Sequence, residues 1–94
     1  MKIIDRRAIE AARKPYCELC GRRGPVEVHH VFSRGMGGGG RLDVHFNLIS
    51  LCWQCHRAYH DGRISRERIL QAVARRYGVR VEEIENQIRG LGQG

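Results

Sequence analysis

Residues 47–60 read NLISLCWQCHRAYH, in which cysteines and histidines follow directly on a short apolar run. The run has the length of a buried strand, and no glycine or proline occurs between residues 52 and 60. We therefore predict a strand that ends near Leu51 and a helix that starts near Trp53 and stops at Gly62.

Four cysteines form two CxxC pairs, Cys17 with Cys20 and Cys52 with Cys55. A two-residue spacer lets both sulfurs of a pair face one ion, and four thiolates at tetrahedral angles suit zinc. The alternatives are two disulfides or four free core cysteines. Residues 1–14 lack the apolar segment of a signal peptide, so nothing indicates an oxidising compartment. We expect a structural Zn²⁺ whose binding stabilises this short chain.

Four of the five histidines form two pairs. His29 and His30 are adjacent in a strand predicted over residues 26–32, whereas His56 and His60 are one helical turn apart and project from one helix face. Three or four imidazoles near one ion make a nitrogen-rich site with open positions, which suits catalysis. A strict pleat places His29 and His30 on opposite faces. Both can serve one site only if the strand breaks there, or if the ion and the attacked phosphate lie on different sides.

The remaining segments predict helices around this centre. Caps and apolar spacing indicate further helices over residues 5–13, 65–77 and 82–89, with a frayed tail at residues 91–94. A second strand is predicted within residues 45–51, after a loop at residues 33–41 that holds five of the twelve glycines. We therefore predict an α+β chain with one domain over residues 1–94, a core over about residues 16–61 and a helical extension over about residues 65–89.

The charge of the chain is strongly positive. Lys and Arg number 17 against 10 Asp and Glu, which gives a formal net charge of +7. Arginine grips phosphate in a bidentate geometry, and it supplies all but two of these cations. This balance favours nucleic acid as a partner over an acidic small molecule. No apolar segment is long enough for a membrane helix, so we expect no membrane association.

The ordered set HH, N, CxxCH and H resembles the HNH endonucleases, and within them the zinc-containing subset of bacteriophages and restriction systems. The resemblance rests on residues 29–38, which read HHVFSRGMGG, on residues 47–56, which read NLISLCWQCH, and on His60. It implies the ββα-metal (His-Me finger) fold with a four-cysteine zinc knuckle, and hydrolysis of DNA phosphodiester bonds by nicking or double-strand cleavage.

The resemblance also implies roles for individual residues. His29 would be a metal ligand and His30 the general base, while Asn47 would hold the segment that bears the base. His56 and His60 would complete the site of one catalytic divalent ion, for which the family resemblance implies Mg²⁺, Mn²⁺, Ni²⁺ or Zn²⁺.

Other side chains of these segments are candidates for contacts with DNA or with the core. Arg34 and Arg41 flank the glycine loop and are candidates for phosphate contacts. Trp53 and Tyr59 are expected in the core rather than stacked on bases, and Arg57 could face either DNA or solvent. His45 fits no role in the site.

Two other functions compete with the enzyme. One is a zinc-ribbon-like DNA-binding module without catalysis, which would not need the second, histidine-rich site. The other is an accessory protein of the phage genome-packaging terminase that docks through residues 65–89, although packing of those helices on the core is the simpler expectation. We expect a monomer or weak homodimer in the cytoplasm, in a bacterial host if the chain is phage-encoded.

Overall fold

The computed structural model describes residues 3–32 and 42–92 as two short strands among four helices. In chain order the elements are α1 (Arg6–Ala12), β1 (Glu27–His30), β2 (Leu48–Leu51), α2 (Trp53–His60), α3 (Arg66–Tyr77) and α4 (Val81–Gly92). The predicted α+β class is confirmed, and β1, β2 and α2 follow one another in the order of a ββα core. Among the described helices, none has the length and apolar character needed to cross a membrane.

The helix ends follow the capping residues that the sequence indicated. The Asp5 carboxylate accepts hydrogen bonds from the N–H groups of Arg7 and Ala8 and so begins α1. Ser65 caps α3 in the same way, and Gly78 ends that helix in the left-handed conformation, at a φ of 67°. Each N-cap stabilises its helix by about 1 kcal/mol.

The strand boundaries differ from the prediction. The first strand is shorter than residues 26–32, and a 3₁₀ turn at His45–Asn47 occupies the start of the run that was predicted as the second strand. The Asn47 carbonyl accepts a hydrogen bond from the Val31 N–H at 2.8 Å, and its buried side chain bonds to backbone groups of Phe32 and Leu42. Helix α4 continues to Gly92, into the segment expected to fray, and residues 93–94 lie outside the described part.

Strand β2 lies at the centre of the core, with all four of its residues buried. It pairs antiparallel with β1, and Ile49 and Leu51 share one apolar cluster with residues of the two C-terminal helices: Ile69, Val73, Ile84 and Ile88. Removal of this apolar surface from water contributes about 25 cal/mol per Å². The helices of residues 65–89 therefore pack on the core, as expected.

Arg76 of α3 joins the first cysteine turn to the strands. Its guanidinium contacts both carboxylate oxygens of Glu18 at 2.8 and 2.9 Å, and it also donates to the carbonyls of His45 and Leu48. The two side chains are only 12% and 6% exposed. This buried pair fixes α3 against the ββα core and against Cys17, which precedes Glu18.

Candidate metal clusters and active site

The four cysteines come together in one cluster whose sulfur atoms all lie within 4.8 Å of one another. Cys17 and Cys20 belong to a tight turn that Gly21 closes at a φ of 81°, a backbone conformation that favours glycine. Cys52 precedes α2 and Cys55 lies in its first turn. The sulfurs of Cys20 and Cys52 are 3.8 Å apart, far beyond the roughly 2.05 Å of a disulfide. The cluster can therefore hold a metal ion on four sulfurs.

The environment of the thiols also suits a cation. Burial raises the pKa of Cys17, but N–H groups of Cys52, Cys20 and Leu19 donate to its sulfur and bring the pKa down to about 7. Burial and the neighbouring thiols raise the pKa of Cys55. Neighbouring thiolates repel one another, so several negative charges in this cluster are unfavourable. A bound cation would compensate these charges.

A second cluster joins β1 to α2. Glu27, His29 and His56 each place a ligand atom within 4.8 Å of the others. The Glu27 Oε2 atom lies 3.6 Å from His29 Nε2 and 3.8 Å from His56 Nδ1, and the two imidazole centroids are 3.9 Å apart. Glu27 and His29 share one face of the strand because they are two residues apart. Adjacent positions of α2, Cys55 and His56, thus serve two different clusters.

The Nε2 atom of His29 has no hydrogen-bond partner among the described residues, although it is fully buried. An unsatisfied buried nitrogen is costly and requires an explanation. Burial, followed by the nearby His56, lowers the pKa of His29, so the neutral imidazole is favoured at neutral pH. A neutral ring with a free lone pair beside a carboxylate and a second imidazole fits a divalent cation.

His60 lies outside this group of three residues. Its ring centroid is 6.4 Å from that of His56, and the side chain is exposed. The third member of the cluster is Glu27, which sequence reasoning missed. The sequence did contain this information, because the alternation of side chains along a strand places residue 27 on the same face as residue 29.

His30 points to the other face of β1, where it meets Asp43. His30 Nε2 lies 2.6 Å from Asp43 Oδ1, and the other carboxylate oxygen accepts a hydrogen bond from the Asp5 N–H at 2.8 Å. Asp43 is 1% exposed. No local pattern could have identified it, since it lies 13 residues from its partner and beyond the glycine-rich segment.

The strand does not break between the two histidines. His29 pairs with Ile49 and His30 pairs with Leu48, in an uninterrupted antiparallel register. Of the two arrangements that the sequence left open, the structure therefore has the imidazoles on different sides of β1. They remain close enough that a charge on His30 contributes to lowering the pKa of His29, after burial and His56.

Asn47, which directly precedes β2, is fully buried. Its Oδ1 accepts from the Phe32 N–H at 3.0 Å, and its Nδ2 donates to the carbonyls of Phe32 and Leu42 at 3.1 and 3.0 Å. Phe32 and Leu42 are the described residues on either side of residues 33–41. The phosphate-contact candidates Arg34 and Arg41 fall in that segment, outside the described residues.

Trp53 contradicts the prediction of a core position, because it is 62% exposed. It is the first residue of α2 and shares the outward helix face with Arg57, whereas Tyr59 packs against the core as expected. His45, for which the sequence predicts no role in the site, forms a hydrogen bond with the Tyr77 hydroxyl.

The ββα core thus carries a four-sulfur cluster that can hold a metal ion and a separate imidazole–carboxylate cluster. The sequence model of the HNH endonuclease family matches residues 17–62 of this chain. The chain is also similar to the type IV methyl-directed restriction enzyme EcoKMcrA of Escherichia coli (strain K12), with 35% identity over 65 residues. That match covers 60% of this chain but only 22% of the restriction enzyme.

Proposed function

We propose that the chain is a metal-dependent endonuclease that hydrolyses DNA phosphodiester bonds, as nicks or as double-strand breaks. The observation that carries this proposal is the unsatisfied nitrogen of His29, which lies beside Glu27 and His56 and one residue from an imidazole held by a buried carboxylate. The net charge of +7 supports a polyanionic substrate, and the similarity to a methyl-directed restriction enzyme supports DNA.

In this proposal Glu27, His29 and His56 hold the catalytic divalent ion, and His60, one turn along α2, is a further candidate ligand. Two imidazoles and a carboxylate accept Mn²⁺, Ni²⁺ or Zn²⁺ readily and Mg²⁺ where it is more available. When bound, the cation supplies Lewis-acid stabilisation of charge on the phosphate and the leaving oxygen. The four cysteines hold a structural Zn²⁺, since tetrahedral thiolate sites favour that ion.

His30 is the proposed general base. The Asp43 carboxylate accepts a hydrogen bond from the Nε2–H group, which leaves Nδ1 of the neutral imidazole as the proton acceptor for the attacking water. After proton transfer, the same carboxylate stabilises the imidazolium ion. Asn47 supports this arrangement by fixing the backbone of Phe32, two residues beyond the base.

The free edge of β1 is the place where the two faces can serve one phosphate. Within the described sheet β1 pairs only with β2, and we place the DNA strand against its other edge. Consecutive strand residues are about 3.3 Å apart, so a phosphate against this edge is within reach of both His29 and His30. This position of the substrate connects the ion to the base without any break in the strand.

The test is incubation of the zinc-loaded chain with supercoiled plasmid and Mg²⁺, Mn²⁺ or Ni²⁺ in turn. We expect relaxed or linear plasmid with at least one of these ions. Retained DNA binding with no product under any ion would support the non-catalytic zinc module instead. A phage origin and a terminase partner stay predictions from the resemblance.

A further inference from the structure

The indole of Trp53 lies at the edge of an arginine-rich groove. The Cζ atom of Arg57 is 5.3 Å from the centre of the indole ring, within cation–π range. The indole also lines a groove of about 280 Å³, together with residues that include Arg22, Arg23 and Pro25. A single exposed apolar side chain is ordinary, so it is these neighbours that distinguish Trp53. The term Trp53 surface below denotes Trp53, Arg57, Arg22 and Arg23.

The charges of the Trp53 surface are not neutralised within the described chain. All three arginines are exposed, and among the residues of known position none of them forms an ion pair with a carboxylate. Arg22 instead donates to the amide oxygen of Gln54 at 2.7 Å. The surface therefore combines an accessible aromatic face with unpaired guanidinium groups, which is the chemistry that binds nucleobases and phosphates together.

The Trp53 surface and the second metal cluster share helix α2. Trp53 lies three residues before His56 on α2, and residues three or four apart share a helix face. Three residues span about 4.5 Å of helix axis. A nucleotide advances about 3.4 Å along one strand of B-DNA. A base on the indole would thus belong to a nucleotide one or two positions from a phosphate at the cluster.

Resting on the proposed DNA-cleaving function, we infer that the Trp53 surface binds unpaired DNA beside the scissile phosphate. One base stacks on the indole, and Arg22 and Arg23 contact the phosphates that flank it. Inside a duplex each base face is covered by its neighbours, so only an unpaired, flipped or terminal base can stack in this way. The substrate class of this site is therefore DNA with a single-stranded or distorted segment at the cleavage point.

Trp53 is the single tryptophan of the chain, so its fluorescence reports on this surface alone. The experiment uses the zinc-loaded full chain with His30→Ala, which prevents cleavage. It is titrated with single-stranded DNA of about 12 nucleotides, within the site size of such grooves, with a relaxed closed-circular duplex, which has neither ends nor loops, and with inorganic polyphosphate. We expect strong quenching by the single strand, and little by the duplex or polyphosphate.

Variants at Trp53 separate stacking from charge. Binding of the single strand, measured by anisotropy of labelled DNA, should weaken about tenfold or more with Trp53→Ala and recover largely with Trp53→Phe, which keeps a ring. Ile4→Ala is the matched control, because Ile4 is 61% exposed and precedes α1. It should leave binding unchanged. Zinc content and circular dichroism confirm that each variant is folded.

Three results would overturn the inference. Quenching by polyphosphate equal to that by the single strand would show that the Trp53 surface binds through charge alone. An unchanged affinity of Trp53→Ala for the single strand would exclude stacking. Dissociation of a dimer by Trp53→Ala, with no response to DNA, would make the surface a protein interface. Plasmid cleavage by the wild-type chain is measured separately, so loss of stacking with retained cleavage leaves the proposed nuclease intact.

Discussion

His30 Nε2 and Asp43 Oδ1 are 2.6 Å apart, and the carboxylate is buried and bonded to the Asp5 N–H through its other oxygen. The position of the Asp43 carboxylate is therefore fixed by a hydrogen bond that does not involve the imidazole. An ionised carboxylate can only accept a hydrogen bond, so the proton of the neutral imidazole lies on Nε2 and Nδ1 of His30 remains free.

Asp43→Asn should abolish most of the cleavage while the fold is retained. The asparagine amide can donate to Nε2, which favours the tautomer with its proton on Nδ1 and removes the proton acceptor. We expect kcat for plasmid nicking to fall by about 10²- to 10⁴-fold, with KM for DNA little changed. Asp43→Glu, which restores an acceptor, should recover part of the rate. Thermal melts control for stability, and an unchanged kcat in a folded Asp43→Asn protein would refute the orienting role.

Glu27→Gln and His60→Ala together identify the third ligand of the catalytic ion. Because Glu27 lies within the cluster and His60 lies outside it, the glutamine variant should weaken Mn²⁺ binding at least about tenfold, with a smaller effect of His60→Ala. Calorimetric titration of the zinc-loaded protein with Mn²⁺ measures both. A larger loss in His60→Ala would instead support the ligand set that the sequence suggested.

Cys17→Ala should remove zinc and folded structure together. Cys17 is completely buried and its sulfur receives backbone hydrogen bonds, so no other donor can replace it. We expect the zinc content to fall from about one equivalent to near zero, with a large loss of helical circular dichroism, because metal binding contributes to folding free energy. Chelation of the wild-type protein should give the same loss, reversed by added Zn²⁺. An unchanged zinc content and melting temperature would contradict the four-sulfur site.

Arg76→Ala should destabilise the chain by about 3–5 kcal/mol, because it leaves the Glu18 carboxylate buried without its partner. The matched control is Arg80→Ala, because the Arg80 side chain is 79% exposed. This substitution should change the free energy of unfolding by less than about 1 kcal/mol. Urea unfolding followed by circular dichroism compares the two variants. Equal effects would mean that burial of the Arg76 pair does not stabilise the fold.

Local signals in the sequence predicted most of the fold. Ser65 and Gly78 mark the two ends of α3. Both ends could be predicted because capping depends on residues within one turn of the helix end. The two CxxC pairs predicted the sulfur cluster because the spacing itself limits which atoms can meet. The 3₁₀ turn before β2 was not predicted, since it depends on partners of Asn47 that are distant in the chain.

The missed parts of the site depend on tertiary packing. Asp43 reaches His30 only because β1 and the segment before β2 are brought together, and the Glu18–Arg76 pair joins residues 58 positions apart. The exposure of Trp53 depends on how α2 is rotated against the core. Burial of Trp53 was predicted from its apolar character alone. Apolar character does not indicate which face of a helix the core covers.

In the proposed mechanism one phosphate lies at the edge of β1, between the ion of Glu27, His29 and His56 and the imidazole of His30. A crystal structure of the zinc-loaded Asp43→Asn protein with uncleaved DNA and Mn²⁺ tests this placement. We expect one phosphate that ligates the Mn²⁺, with a water between it and His30 Nδ1 at about 3 Å from that nitrogen. A phosphate on the Mn²⁺ with His30 facing away from it, beyond the reach of one water, would refute this mechanism.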